Sequence, residues 1–146
     1  MSEPSIVDTW ELLVRYHRIT TRAMDERLRA TCGHSLDDYD ILHQIHEHGS
    51  AIRMGELADR LLVANSSCNR IVGRLAEAGF VSRHHGEADR REVFVDLTAE
   101  GKRLRRRMAA VHTRDIEAFV GAPLSANQHK HLNEALDRLL SEQAPD

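Results

Sequence analysis

This sequence predicts a mostly α-helical fold carrying one small β-hairpin, on three observations. Apolar residues recur at helical spacing through most of the 146 residues. That period falls to two only between residues 80 and 97. The helical runs are broken at discrete points, by Gly33, Gly49, Gly79 and Gly121-Ala122-Pro123.

Residues 6–31 read as one long helix, because Ile6, Trp10, Leu13, His17, Met24 and Leu28 fall near helical spacing with no Pro or Gly between them. Cys32-Gly33 closes it, since Gly readily takes the left-handed end conformation. Residues 36–47 form a second helix, with Ser35 or Asp37 at its N-cap and Tyr39, Leu42 and Ile45 apolar. Gly49-Ser50 ends that helix, and Ala51-Ile52-Arg53 leaves room for a very short strand.

Residues 54–61 read as a short third helix with Met54, Leu57, Ala58 and Leu61 on one face. A turn at Leu62-Val63-Ala64 leads into a fourth helix over residues 65–78. Its apolar face is Cys68, Ile71, Val72 and Leu75, and Gly79 stops it. Residues 80–83 and 92–97 are strand-like and flank a polar stretch, 84–91, that contains Gly86 and Asp89. Thr98 then caps a helix running to about Val120, with Glu100 near its start. Ser125 caps the last helix, whose Leu132, Ala135, Leu136, Leu139 and Leu140 make a continuous apolar stripe.

This order of elements is that of a winged helix-turn-helix. Two short helices joined by a three-residue turn let the second present its N-terminal residues to base edges in a major groove. Opposite the apolar face of the fourth helix lie Asn65, Ser66, Ser67, Asn69, Arg70, Gly73 and Arg74. Asn bonds adenine and Arg bonds guanine bidentately, while Ser serves bases or phosphates. The hairpin supplies a wing whose Arg90 and Arg91 suit the negative potential of a minor groove. Arg53 and Arg83 are candidates for phosphate contact. Arg103 and Arg105-Arg106-Arg107 lie on one helix and cannot all face the same way.

Three stretches resemble the MarR family of bacterial transcription regulators. They are Met54-Gly-Glu-Leu-Ala-Asp-Arg-Leu, Asn69-Arg-Ile-Val-Gly-Arg-Leu-Ala-Glu-Ala-Gly-Phe-Val and Asp89-Arg-Arg-Glu-Val-Phe-Val-Asp-Leu-Thr-Ala-Glu-Gly101. The last is the most specific, an Asp-x-Arg wing tip, a strand, then Leu-Thr-x-x-Gly opening a long helix. The resemblance implies a homodimer whose terminal helices interdigitate and whose two winged lobes straddle a pseudo-palindrome. It implies that Arg91 enters the minor groove while Asp89 orients the wing. It implies a small, often aromatic ligand, for which Trp10, Tyr16, His17, Tyr39, His43, Met108 and His112 are the candidate lining residues. One departure is that Leu62 and Ala64 stand where many helix-turn-helix motifs carry Gly and a Ser or Thr cap.

The expected organisation is a dimerisation region, residues 1–32 and 99–146, around a DNA-binding lobe, residues 33–98, with no independent second domain. The net charge of −3 hides an asymmetry. Residues 50–107 hold twelve Lys/Arg against eight acids, and the remainder holds eight against fifteen. A locally basic segment is what phosphate neutralisation requires. No apolar run reaches the ~20 residues of a membrane span, and the N-terminus lacks the basic start and apolar stretch of a signal peptide, so the cytoplasm is expected.

Ten histidines and two cysteines raise metal and redox sensing as alternative signals within the same fold. None of the histidines shows zinc-ligand spacing, an Asp40–His112 composite site being the best remaining candidate. Cys68 faces inward, as a small hydrophobe would. A winged helix used only to bind protein is the other alternative. No nucleophile elbow, phosphate-binding Gly loop or His-Glu-x-x-His is present, so neither an enzyme nor a cofactor is expected. Double-stranded DNA, a second copy of the chain and a small aromatic molecule are the expected partners. Repression is the expected outcome, with no membrane involved.

Overall fold

The structure is a computed structural model that describes residues 3–143. Its elements are α1 (Ile6–Cys32), α2 (Leu36–His48), β1 (Ile52–Arg53), α3 (Met54–Leu61), α4 (Asn65–Glu77), β2 (Val81–His85), β3 (Val93–Leu97), α5 (Ala99–Ile116) and α6 (Ala126–Gln143). The chain divides into two compact units, residues 1–111 and 112–146. The first unit therefore takes in α1 and most of α5 together with the helix-turn-helix and the hairpin.

In that unit the helix boundaries follow local chemistry. Ser5 and Ser35 cap α1 and α2 through reciprocal capping boxes with Asp8 and Asp38. At the other ends Gly33 and Gly49 take the left-handed conformation, φ 76° and 81°. The cap of α2 is Ser35, not Asp37. Leu62 ends α3 with φ 55° and is 89% exposed, so a leucine holds the left-handed turn position that glycine occupies at lower cost.

The sheet is antiparallel in the order β1-β3-β2. Ile52 pairs with Val95 and Arg53 with Phe94, while β2 runs alongside β3 from Val81–Leu97 to His85–Val93. The strand expected over residues 80–83 extends to His85, leaving a shorter tip than the sequence suggested. Alternation missed this because β2 buries only Val81 and its other four side chains are exposed. The hydrogen bonding comes from β3, and His84 stacks on Phe94 at 5.7 Å.

One apolar core joins the elements of the first unit. Leu28 of α1, Ile41, Leu42 and Ile45 of α2, Leu57 of α3, Val72 and Leu75 of α4, Val95 of β3, and Leu104 and Met108 of α5 are each at most 2% exposed. Each such side chain contributes about 1.5–3 kcal/mol through burial. Cys68 belongs to this core, and burial raises its thiol pKa.

A clasp links the end of α4 to the start of α5. The Thr98 hydroxyl donates to the Gly79 carbonyl at 2.6 Å, and the Thr98 amide donates to the Phe80 carbonyl at 3.1 Å. The same hydroxyl accepts the Gly101 amide at 3.1 Å and so caps α5. A Cβ on Gly101 would overlap the Phe80 carbonyl oxygen and stand 2.9 Å from its carbon. The Leu-Thr-x-x-Gly motif is thus a place where α5 crosses backbone too closely for any side chain.

In the second unit α5 does not run on regularly to residue 120. It opens into one π turn, Glu117–Gly121, closed by the Ala122 amide donating to Glu117 at 2.7 Å. Ser125 caps α6 by accepting from the Gln128 amide at 3.3 Å. The α6 stripe stays open to solvent in one chain, with Leu132, Leu136, Leu139 and Leu140 between 37% and 69% exposed.

Candidate nucleic-acid interface

The start of α3, the start of α4 and the near end of β3 enclose a groove of about 590 Å³. Arg53, Gly55, Glu56, Asp59, Asn65, Asn69, Arg91 and Glu92 line it. Asn65 and Asn69, expected at base edges, and Arg91, expected at the wing, therefore border the same concavity. Ser66 and Arg70 are exposed on the same helix and Ser67 is half-buried, while Cys68, Ile71, Val72 and Leu75 anchor the opposite face in the core. The Asn69 side-chain amide donates to the Asn65 carbonyl one turn back, at 2.9 Å. That bond fixes the side chain against the helix.

The wing tip is built from its own hydrogen bonds. The Asp89 carboxylate accepts the Arg91 amide at 2.9 Å, the Gly86 amide donates to Glu92 at 2.9 Å, and the Glu92 amide donates to Asp89 at 3.2 Å. His85 Nδ1 lies 2.8 Å from the Arg90 carbonyl. A Cβ on Gly86 would stand 2.7 Å from the Asp89 carbonyl oxygen, which explains the glycine. Asp89 thus shapes the tip while the Arg90 and Arg91 side chains remain exposed.

Three of the candidate arginines have protein neighbours that the sequence did not reveal. Arg53 pairs with Glu92 at 3.1 Å across the sheet. The Arg83 Nη1 lies against α4, 3.8 Å from where a Gly73 Cβ would stand. Arg74 makes two bonds to Asp38, Nη2–Oδ1 at 2.6 Å and Nη1–Oδ2 at 3.1 Å. Asp38 is 1% exposed and also meets His34 Nδ1 at 3.1 Å. Burial works to raise its pKa, but hydrogen bonds from Arg74 and His34 outweigh that and hold the carboxyl below its ordinary range. Arg74, expected among the base-reading residues, therefore spends its guanidinium fork on α2. Arg70, one turn earlier, has no such partner among the described residues.

The expected ligand-lining residues of the first unit differ in exposure. Tyr39 is buried and stacks on His43 at 5.4 Å, and Met108 is fully buried in the core. Trp10 is 67% exposed and lines a shallow groove made of α1 residues alone, with Val14 and Ile19. Tyr16 and His17 are exposed on α1, and His112 belongs to the second unit. Among the described residues no group of three or more His, Cys, Asp or Glu is placed to hold a metal ion. No described helix is long and apolar enough to cross a membrane.

The MarR family model matches residues 35–93, which run from the N-cap of α2 to the first residue of β3. The transcriptional regulator PecS of Dickeya dadantii is 32% identical over 107 residues, covering 72% of this chain and 64% of PecS. This chain belongs to the MarR family. The matches span less than two thirds of the curated relatives, 64% of PecS and 43% of the Bacillus subtilis regulator YfiV. Among solved structures, the MarR regulator Sco3205 of Streptomyces coelicolor, crystallised in complex with DNA, is 26% identical with a TM-score of 0.87. That likeness covers 99% of this chain and 96% of Sco3205. AbsC, a MarR regulator of the same organism, has the same fold, with 24% identity, a TM-score of 0.85 and 98% of both chains covered.

Proposed function

We propose that the protein is a sequence-specific transcriptional regulator that binds duplex DNA as a homodimer and represses until a small aromatic ligand weakens its grip. The observation that carries this is the groove where Asn65 and Asn69 of α4 face the wing residue Arg91. A recognition helix and an adjacent basic wing can read a major groove and its neighbouring minor groove together. Asn65, Ser66, Ser67, Asn69 and Arg70 form the reading set, Asp89, Arg90 and Arg91 the wing set. Arg53 and Arg83 are left for phosphate, Arg53 after exchanging its Glu92 partner. The crystallised complex of Sco3205 with DNA supports the same partner here.

Two lobes must sit about one helical turn, ~34 Å, apart to enter successive major grooves. The exposed stripes of α1, with Ile6, Val7, Trp10 and Leu13, and of α6 supply apolar surface for the second copy. A regulator of this kind acts in the cytoplasm on DNA alone and needs neither cofactor nor catalysis.

Titrating salt against binding to a random duplex tests the reading. Contact with six to ten phosphates predicts a loss of about 10³–10⁵ in affinity between 50 and 200 mM salt. Absence of binding at low salt sinks it in favour of a winged helix that binds protein. Light scattering on Leu136→Asp tests the dimer, for which a monomeric or unfolded product is expected.

A further inference from the structure

A second cleft, of about 370 Å³, opens in the first unit between α2, the end of β3 and the start of α5. Ile45, His46, Gly49 and Ser50 of α2 and its following turn line it, with Asp96 and Leu97 of β3 and Lys102, Arg105 and Arg106 of α5. Three full cations converge there against one carboxylate. Asp96 already accepts the Leu97 amide at 2.8 Å, and the carbonyl end of α2 adds a weak negative pole. None of Lys102, Arg105 and Arg106 forms an ion pair among the described residues. The Arg105 Nε is shut from solvent with no acceptor among the described residues. Adjacent Arg103, by contrast, is neutralised by Glu100. An interior donor without an acceptor is costly, more so when it is charged.

The cleft is separate from the groove of Asn65, Asn69 and Arg91. It lies at the Asp96–Leu97 end of β3, whereas the wing tip leaves from Val93, about 10 Å away at 3.3 Å per residue. It shares no residue with the groove of Asn65, Asn69 and Arg91, nor with the seven residues expected to line an aromatic pocket.

We propose that Lys102, Arg105 and Arg106, with His46 and Ser50 on the facing side of the cleft, form an anion site for a small phosphoryl compound carrying at least two negative charges. Arg forks match phosphoryl oxygens bidentately, and an ammonium adds a point charge. Two charges are needed because a monoanion would leave the cations in excess. Such a ligand would brace the end of α2 against α5, so the proposal adds a second effector to the regulator reading.

The test is calorimetric titration of the full chain with inorganic pyrophosphate at 150 mM NaCl, without DNA. Saturable binding is expected, weakened at least about tenfold in both Lys102→Gln and Arg106→Gln and strengthened in Asp96→Asn. Circular dichroism confirms that each variant is folded. Equal binding by all variants, or heat that never saturates, means an adventitious ion only and overturns the site. Loss of duplex affinity in Lys102→Gln matching its loss of pyrophosphate would make the cleft part of the DNA face and overturn it too. Failure of the wild-type chain to bind any duplex would sink the regulator reading and leave the titration standing as a separate result.

Discussion

Arg74 and Asp38, 36 residues apart in the chain, meet in a two-bond ion pair that ties the last turn of α4 to the first turn of α2. The acid is buried and the base half-exposed. Asp38 also closes the capping box of α2, so one carboxylate fixes both a helix start and the seat of the proposed recognition helix.

Removing Arg74 leaves a buried carboxylate with only His34 and backbone donors. Arg74→Ala is expected to cost about 1–2 kcal/mol, below the 3–5 of a fully buried pair because water reaches the guanidinium. Urea unfolding measures it. A stability unchanged within error would mean that the pair contributes nothing.

Gly101→Ala is expected to be worse. The added methyl has no flexible neighbour to displace, since the opposing atoms are Phe80 backbone. We expect a loss of about 3 kcal/mol or more, past the usual range for overpacking, read as a fall in thermal midpoint.

For the interface, Arg91→Ala should weaken operator binding by about 1–3 kcal/mol and reduce the salt slope by about one, leaving the dimer intact. Arg70→Ala should relax base preference at one position instead. Binding measured on an operator series with single-base changes separates the two. A uniform loss across sequences for Arg70→Ala would make it a phosphate contact.

Two carboxylates in α2 should pull stability in opposite directions with pH. Asp38 sits below its ordinary pKa, so its contribution is present above that value and disappears as acid protonates it. Asp40 is pushed up to about 6, chiefly by burial and secondarily by Asp37. Its folded form holds a proton more tightly than the unfolded chain, so the stability it confers is full below about pH 4 and is lost as pH rises past 6. Asp40→Asn should therefore gain about 1 kcal/mol at pH 7, discounted for partial hydration, and flatten the profile between pH 4 and 6. Unfolding curves at pH 4, 5.5 and 7 check the slope.

The sequence was most legible where a local rule and a close approach coincide. The contacts of Thr98 and Gly101 with Gly79 and Phe80 span the whole hairpin. By contrast, the cap that Thr98 places on Gly101, the Asp89 bond to Arg91 and the glycines that end α1 and α2 each act within a few positions, where local rules and motif spacing reach. The helix-turn-helix was legible for the same reason, and the boundaries of α3 agree with the apolar period. What spacing could not show were partners distant in sequence. Arg74 looks on a helical wheel like any outward arginine of α4, and only the packing of α2 brings Asp38 to it. The Arg53–Glu92 pair spans 39 residues and depends on the β1–β3 register. The π turn after α5 was hidden because Glu117–Gly121 contains no residue that forbids a regular helix.

The clasp at Thr98 removes a joint. With Gly79, Phe80, Thr98 and Gly101 bonded or in van der Waals contact, the exit of α4 and the entry of α5 share one piece of backbone and cannot pivot independently. A pull on the first turns of α5 is delivered to the base of α4 without slack, as a crank turns a shaft keyed to it. A displacement of the first turn of α5 is therefore passed to α4, the proposed reading helix, and to β3, whose last residue precedes Thr98 in that same clasp.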